Sequence, residues 1–211
     1  MKNNMDKISE IVIRRLTDYL RCLNFIKLNG KVIIKSSEIS TECGLKPTIV
    51  RKDLSQFGIF GIKGKGYEVE KLISEINEIL GINKKKNVVL IGAGNLGTAI
   101  IKYDGIKNAN FNVIAAFDNN PKKIGKMIDD TKIYDFKKMN EFINKNGVKI
   151  VILTVPSSET LNIIDNLDSK HINGLLNFTS VMLPQKKKNM YIHNIDFTKE
   201  LEVISYCMGK C

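Results

Sequence analysis

Gly92, Gly94 and Gly97 follow a continuous aliphatic run, Val88-Val89-Leu90-Ile91, and lead straight into a helical stretch, Thr98 to Tyr103. Glycines at this spacing between a strand and a helix can cradle a pyrophosphate. Gly92 permits the tight turn, Gly94 lets the backbone approach phosphate oxygens, and Gly97 lets helix and strand pack closely. The helix N-terminus adds unpaired N–H groups and a partial positive charge, with Ala93, Asn95 and Leu96 completing the turn. A second strand, Asn112 to Phe117, ends at Asp118, 21 positions beyond Gly97. A carboxylate there can accept from both ribose hydroxyls of an adenosine and would repel a 2′-phosphate. The expected ligand is therefore NAD(H) rather than NADP(H). A generic α/β turn is the plain alternative.

A second set of residues lies nearer the N-terminus. Arg51, Lys52, Ser55 and Gln56 are the polar positions of a short helical stretch whose Ile49, Val50, Leu54 and Phe57 would face a core. Arg can read guanine bidentately and Gln can read adenine, so Arg51 and Gln56 are candidate base readers. Lys52, Lys63 and Lys65 suit phosphates. An ordinary solvated helix face is the alternative.

These side chains need elements to position them. Ile8, Ile11, Val12, Leu16, Tyr19, Leu20, Leu23 and Ile26 recur at three- and four-residue steps, which predicts one apolar stripe on a long first helix. Gly30 marks its end. Ser36 or Ser37 can N-cap a second helix, Glu38 to Glu42, which stops at Cys43-Gly44. Pro47 suits the first turn of a third helix that continues from Thr48 to Phe57. Ile59 to Ile62, then Lys63-Gly64-Lys65-Gly66, then Tyr67 to Val69 predict two short strands around a turn, a β-wing. Helix returns from Glu70 to Leu80. A helix-turn-helix followed by a basic wing is the layout of a winged-helix DNA reader, with the third helix in the major groove and the wing along a backbone or in the minor groove. Lys46, Pro47 and Thr48 at the start of that helix, and Tyr67 after the wing, complete the expected DNA-facing set.

The polar stretch Gly81 to Asn87 predicts a linker. Beyond it, helix is expected over Phe136 to Asn146 and Ser157 to Leu167. Strands are expected over Lys149 to Val155, Gly174 to Phe178 and Met190 to Ile195, and a last helix over Phe197 to Met208. Strands alternating with helices predict a doubly wound parallel sheet of the Rossmann-like α/β class. Its ligand should lie over the strand carboxyl ends, near Gly92–Gly97, Asp118, Thr154-Val155-Pro156 and Asn177-Phe178-Thr179. The expected domains are 1–83 (winged helix), 84–196 (dinucleotide-binding) and 197–211 (C-terminal helix).

Composition bounds the function. The 211 residues are 43% hydrophobic and 26% charged, which excludes a disordered or fibrous chain. The longest apolar runs fall far short of a membrane span, and no signal-peptide core is visible, so a soluble cytoplasmic protein is expected. The net charge is +11, and residues 1–86 carry 17 Lys/Arg against 10 Asp/Glu. That bias suits a polyanionic partner. Lysine-rich coding usage is the bland alternative. Cys22, Cys43, Cys207 and Cys211 form no CxxC pair, and with two histidines no metal cluster is visible.

The two halves together resemble the Rex family of bacterial redox-sensing transcriptional repressors. The N-terminal carriers are Tyr19-Leu20-Arg21, Val50-Arg51-Lys52-Asp53-Leu54-Ser55, Phe57-Gly58 and Gly64-Lys65-Gly66-Tyr67. The C-terminal carriers are the glycine turn, Phe117-Asp118, Pro121-Lys122-Lys123-Ile124-Gly125, Leu153-Thr154-Val155-Pro156 and Asn177-Phe178. The resemblance implies a homodimer on inverted-repeat operator DNA, released by NADH and permitted by NAD+, with the last helix swapped across the dimer. It places Lys123 and Ile124 at the cofactor. It also implies a switch beside the nicotinamide made by Arg21, Tyr103 and Asp196. A cation and a phenol competing for one carboxylate give two discrete arrangements. Core packing is the alternative for Tyr103, and a helix N-cap for Asp196. Thr179-Ser180 stands where the family more often has Ala-Pro, which would put hydroxyls near the nicotinamide. Cys207 and Cys211 lie four apart on one face of the last helix; structural thiols are expected there more than sensing ones.

Two other readings stay open. One is a small NAD-dependent oxidoreductase with an accessory helical domain. Against it, about 125 residues after the linker leave little for a substrate domain, and neither His171 nor His193 has a recognisable acid–base partner. The other is a binder of coenzyme A or another nucleotide on the same core, against which Asp118 argues.

Overall fold

The computed structural model describes residues 8–168, 171–187 and 189–209. Lys210 and Cys211 lie outside them. The chain divides into two compact units between Lys84 and Lys85.

In the first unit, helix α1 (Glu10–Leu28) buries Val12, Leu16, Tyr19 and Leu23. These four sit on one face, as the stripe predicts, but Ile11 is exposed. Strand β1 (Ile33–Ile34), helix α2 (Ser36–Glu42), helix α3 (Pro47–Ser55), strand β2 (Tyr67–Glu68) and helix α4 (Val69–Ile79) follow. Their apolar faces meet α1 in one core that includes Ile39, Val50, Leu54, Leu72 and Ile76.

Three local expectations are corrected. Helix α2 starts at Ser36, so its N-cap is Lys35 rather than a serine, and Glu38 Oε2 accepts the Lys35 N–H at 2.9 Å. Tyr67 does not pair with the Ile59–Ile62 segment; it pairs with Ile34 of β1, an edge the residue pattern hid. The wing itself is a single antiparallel bridge, Ile62 to Gly66. Gly66 sits at φ +103°, and a Cβ there would lie 2.3 Å from the Ile34 carbonyl oxygen, so only glycine lets the wing fold against β1.

The second unit carries β3 (Lys86–Ile91), α5 (Asn95–Lys102), α6 (Asp104–Asn108), β4 (Phe111–Asp118), β5 (Met127–Ile128), β6 (Thr131–Asp135), α7 (Met139–Lys145), β7 (Ile150–Leu153), α8 (Ser157–Asn166), β8 (Gly174–Asn177), β9 (Lys186–Lys187), β10 (Met190–Asn194) and α9 (Phe197–Met208). Lys86 and Asn87 thus belong to a strand rather than to the linker. α6, β5, β6 and β9 were not read from the sequence; each of the three strands is five residues or fewer and lacks a long apolar run.

The sheet order is β5-β6-β4-β3-β7-β8-β10-β9. The six inner strands are all parallel, and β5 and β9 close the edges antiparallel. Counted over the parallel strands, this is the 3-2-1-4-5-6 order of a dinucleotide-binding fold, reversing between β3 and β7. Helices cover both faces, so β3 is buried on both sides: Val88, Val89, Leu90 and Ile91 are almost wholly inaccessible. No described helix is long and apolar enough to cross a membrane.

Helix α9 departs from that packing. It has no buried residue within the chain, and Phe197, Leu201, Val203, Ile204, Tyr206 and Met208 are all exposed.

Candidate dinucleotide cleft and nucleic-acid face

A cleft of about 390 Å3 opens at the carboxyl ends of β3 and β7, where the strand order reverses. Its lining includes Gly92, Gly94, Asp118, Lys123, Thr154, Val155 and Pro156. Gly92 has φ +98°, and a Cβ there would meet the Thr154 carbonyl at 2.6 Å. A Cβ on Gly97 would lie 2.2 Å from the Gly92 carbonyl oxygen, so α5 can approach the turn only through glycine. Nothing lies within 4 Å of the corresponding position on Gly94. Thr154 ties the loop to β7, its hydroxyl donating to the carbonyls of Ile91 and Gly92 at 3.1 and 2.8 Å.

The first bond of α5 runs from the Thr98 N–H to the Gly94 carbonyl at 2.9 Å. The Asn95, Leu96 and Gly97 amides therefore stand at the helix start without a preceding turn to bond, which suits an anionic pyrophosphate. Asp118 ends β4 and is nearly buried. Its Oδ2 accepts the Ala93 N–H at 3.0 Å and Lys123 Nζ at 3.1 Å, and its Oδ1 accepts the Asn120 N–H at 2.8 Å. The carboxylate is thus already shared with a lysine, a feature the residue pattern did not show. Together, the open space at Gly94, the free amides and the acid at the end of the second strand fit a dinucleotide.

Other expected cofactor residues are placed differently. Ile124 is half-buried and does not line this cleft. Asn177 is fully buried; its amide donates to the Val181 carbonyl and to Asn194 Oδ1, and its oxygen accepts both the Thr179 N–H and hydroxyl. The Thr179 hydroxyl is therefore turned inward on Asn177 at 2.8 Å instead of offered to a ligand. The ring of Phe178 lies against that of Phe197, tilted by 36° with centroids 6.2 Å apart. The cleft also recruits Asn119, Asn120, Phe136, Glu159 and Asn162, which the sequence did not single out. Glu159 and Asn162 sit in the first turns of α8, the helix that Pro156 caps.

Of the expected switch residues, Tyr103 joins α5 to α6 and is 66% exposed, so it is not a core residue. Asp196 does cap α9, its Oδ1 accepting the Thr198 and Lys199 N–H groups at 2.9 and 3.4 Å. Arg21 is an exposed residue of α1 in the first unit.

In the first unit, α3 presents Arg51, Lys52 and Gln56 to solvent, with Lys46 and Thr48 exposed at its start. Arg51 donates to the Ser36 hydroxyl at 2.9 Å, which fixes its direction from the neighbouring helix. A broad hollow of about 1000 Å3 in front of α3 is lined by Lys35, Pro47, Arg51, Lys52, Ser55 and Lys63, among others, and by no carboxylate. Lys65 is exposed on the wing turn. Tyr67 also lines this hollow but is largely buried; burial pushes its phenol up, opposed by the Arg51 cation.

Behind α3 lies a network that sequence reasoning missed. Asp53 is 1% exposed and accepts Arg15 Nε at 2.6 Å, Arg15 NH2 at 2.7 Å and the Tyr19 hydroxyl at 2.7 Å. The Asp53 hydrogen bond holds the Arg15 guanidinium firmly charged, and burial pushes the Tyr19 phenol well above its ordinary range. The only signal was an acid at a core-facing turn of α3.

Family models match both units: "CoA binding domain" over residues 83–181 and "Putative DNA-binding protein N-terminus" over residues 7–55. The redox-sensing transcriptional repressor Rex of Listeria welshimeri is 38% identical over 206 residues, 98% of this chain and 95% of the relative. That of Thermosipho africanus is 38% identical over 95% of both chains. The chain belongs to the Rex family of redox-sensing transcriptional repressors.

Solved Rex-family structures agree with the fold. RSP in complex with β-NAD+ and operator DNA superposes with a TM-score of 0.90 at 34% identity, covering 96% of this chain and 93% of that one. RSP in complex with β-NADH superposes at 0.85 and 33%, covering 97% and 95%. Rex proteins are repressors rather than enzymes. The N-terminal DNA-binding unit and the Rossmann-like sheet are both features of this family.

Proposed function

We propose that this protein is an NADH-responsive repressor that holds operator DNA through its first unit and NAD(H) in the cleft of its second. The observation that carries this reading is the pairing, in one chain, of a carboxylate-free basic hollow before α3 with a glycine-turn cleft closed by Asp118. The RSP complexes with β-NAD+ plus operator DNA and with β-NADH support it.

NAD+ and NADH share their adenosine and pyrophosphate and differ in the charge and planarity of the nicotinamide. A ligand shifts two states only by the ratio of its affinities for them. Discrimination therefore belongs to residues at the ring, and Arg21, Tyr103 and Asp196 are assigned that role. The functional limits assigned are 1–83, 84–196 and 197–211. We assign the protein to the cytoplasm, and its operator to an inverted repeat bound by a homodimer. The uncovered apolar side of α9 is the surface that dimer would cover.

The test is operator-sized duplex binding followed by fluorescence anisotropy while NADH, NAD+ or NADPH is added. NADH should release the duplex at concentrations where NAD+ does not. A duplex indifferent to all three, or a protein with no affinity for DNA, would refute the proposal.

A further inference from the structure

In the segment that enters the wing, Phe60 and Ile62 are exposed while Ile59 is buried. Phe60 is 75% exposed and Ile62 65% exposed. Both line the hollow in front of α3 together with Arg51, Lys52 and Lys63. The backbone of Ile62 is tied across the wing turn: its N–H donates to the Gly66 carbonyl at 2.8 Å, and the Gly66 N–H donates to the Ile62 carbonyl at 2.9 Å. Gly61 between them lies against the Tyr67 ring, where a Cβ would meet it at 3.0 Å. Two large exposed apolar side chains thus stand beside cations that no acid in this hollow neutralises. Water is a poor partner for the former and phosphate a good partner for the latter. A surface of both kinds suits a duplex, whose wall alternates phosphates with sugar and methyl groups.

We propose that Phe60 and Ile62 contact the C5-methyl of thymine beside the bases facing α3, adding an apolar component to operator recognition that the cationic residues cannot supply. This rests on the DNA-binding reading above. Thymine methyl is the apolar group of the major-groove edge, and Phe is among the side chains that pack on it. Phe60 and Ile62 also border a smaller hollow on the other side of the wing, which includes Glu68, Lys71 and Glu75; of the two hollows, the one before α3 has lysines and an arginine without a carboxylate and so is the one complementary to a polyanion.

The test begins with a duplex selected from a random pool by the full-length protein. Thymines are then replaced singly by deoxyuridine, which removes only the methyl. The wild type should lose about fourfold in affinity at one or two such positions, the change expected for one buried methyl. Phe60→Ala should lose about as much on the thymine duplex and nothing further on the deoxyuridine one. Its salt dependence should match the wild type, because no phosphate contact is removed. Ile62→Ala should behave likewise at the adjoining position. Unchanged affinity in both variants overturns the proposal, as does an equal loss on thymine and deoxyuridine duplexes. A changed sedimentation mass in either variant would make the pair a protein–protein contact and also overturn it. If the wild type selects no duplex at all, it is the DNA-binding reading that falls.

Discussion

Arg15 on the first helix and Asp53 on the third form a two-pronged ion pair, with both nitrogen-to-oxygen distances below 2.8 Å. The carboxylate is buried while the guanidinium keeps partial access to solvent. α3 is therefore latched to α1 from behind, on the side opposite Arg51 and Lys52. Breaking such a pair strands a charge in the core, which costs about 3 kcal/mol or more. Arg15→Ala should lower the unfolding free energy of the first unit by that order in a urea titration. Asp53→Asn should do so by less, since no buried charge remains.

Arg51→Ala should reduce operator affinity by about 1–3 kcal/mol, the value of one bidentate base contact. NADH affinity should be unchanged by calorimetry. Parallel loss of both would point to unfolding instead. Ser36→Ala tests the orientation of the guanidinium and should give a smaller loss of the same sign.

Asp118→Ala should weaken NAD+ and NADH alike. The residue acts at the shared adenosine end, and its removal also leaves the Ala93 amide without its acceptor. A loss of about tenfold or more is expected from two such hydrogen bonds. Lys123→Ala removes the cation that shares the carboxylate. It should increase the preference for NADH over NADPH, measured as the ratio of dissociation constants.

Gly97→Ala should abolish dinucleotide binding while leaving DNA affinity intact. The added methyl would overlap the Gly92 carbonyl and push α5 off the turn. Retained NADH binding would show that helix and turn can part without loss.

Burial pushes the Cys22 thiol up to about 11, with Cys43 and Glu42 adding to the effect. The neutral thiol is the form the fold favours. Its contribution to stability is thus complete below about pH 9, and is lost as pH rises through 11. At pH 8 Cys22 should react with iodoacetamide more slowly than the exposed Cys207, by mass spectrometry of quenched samples.

The elements with strong periodicity were legible in the sequence. The four core residues of α1, the buried run of β3 and the glycine turn declare themselves because burial on a fixed face demands a fixed residue type. The short pieces did not. β1 and β2 are two residues each, and their pairing depends on Gly66 passing close to Ile34, which no local pattern encodes. In the cleft, Gly92, Gly94, Asp118 and Thr154–Pro156 were found because each ends a strand. Glu159 and Asn162 were not, since they sit inside the first turns of α8 rather than at a strand end, where polar residues read as an ordinary solvated face. Asn177 and Thr179, expected at the ligand, hydrogen-bond to one another, and the buried Asn177 amide also bonds to the half-buried Asn194.

The uncovered last helix has a further consequence. Twelve residues are too few to hold an isolated helix firmly in water, and none of the residues of this one is buried against its own subunit. In the proposed homodimer its order would depend on mass action between chains. How sharply the molecule responds to reduced cofactor would thereby vary with how much of it is present, so that abundance itself becomes a setting of the sensor.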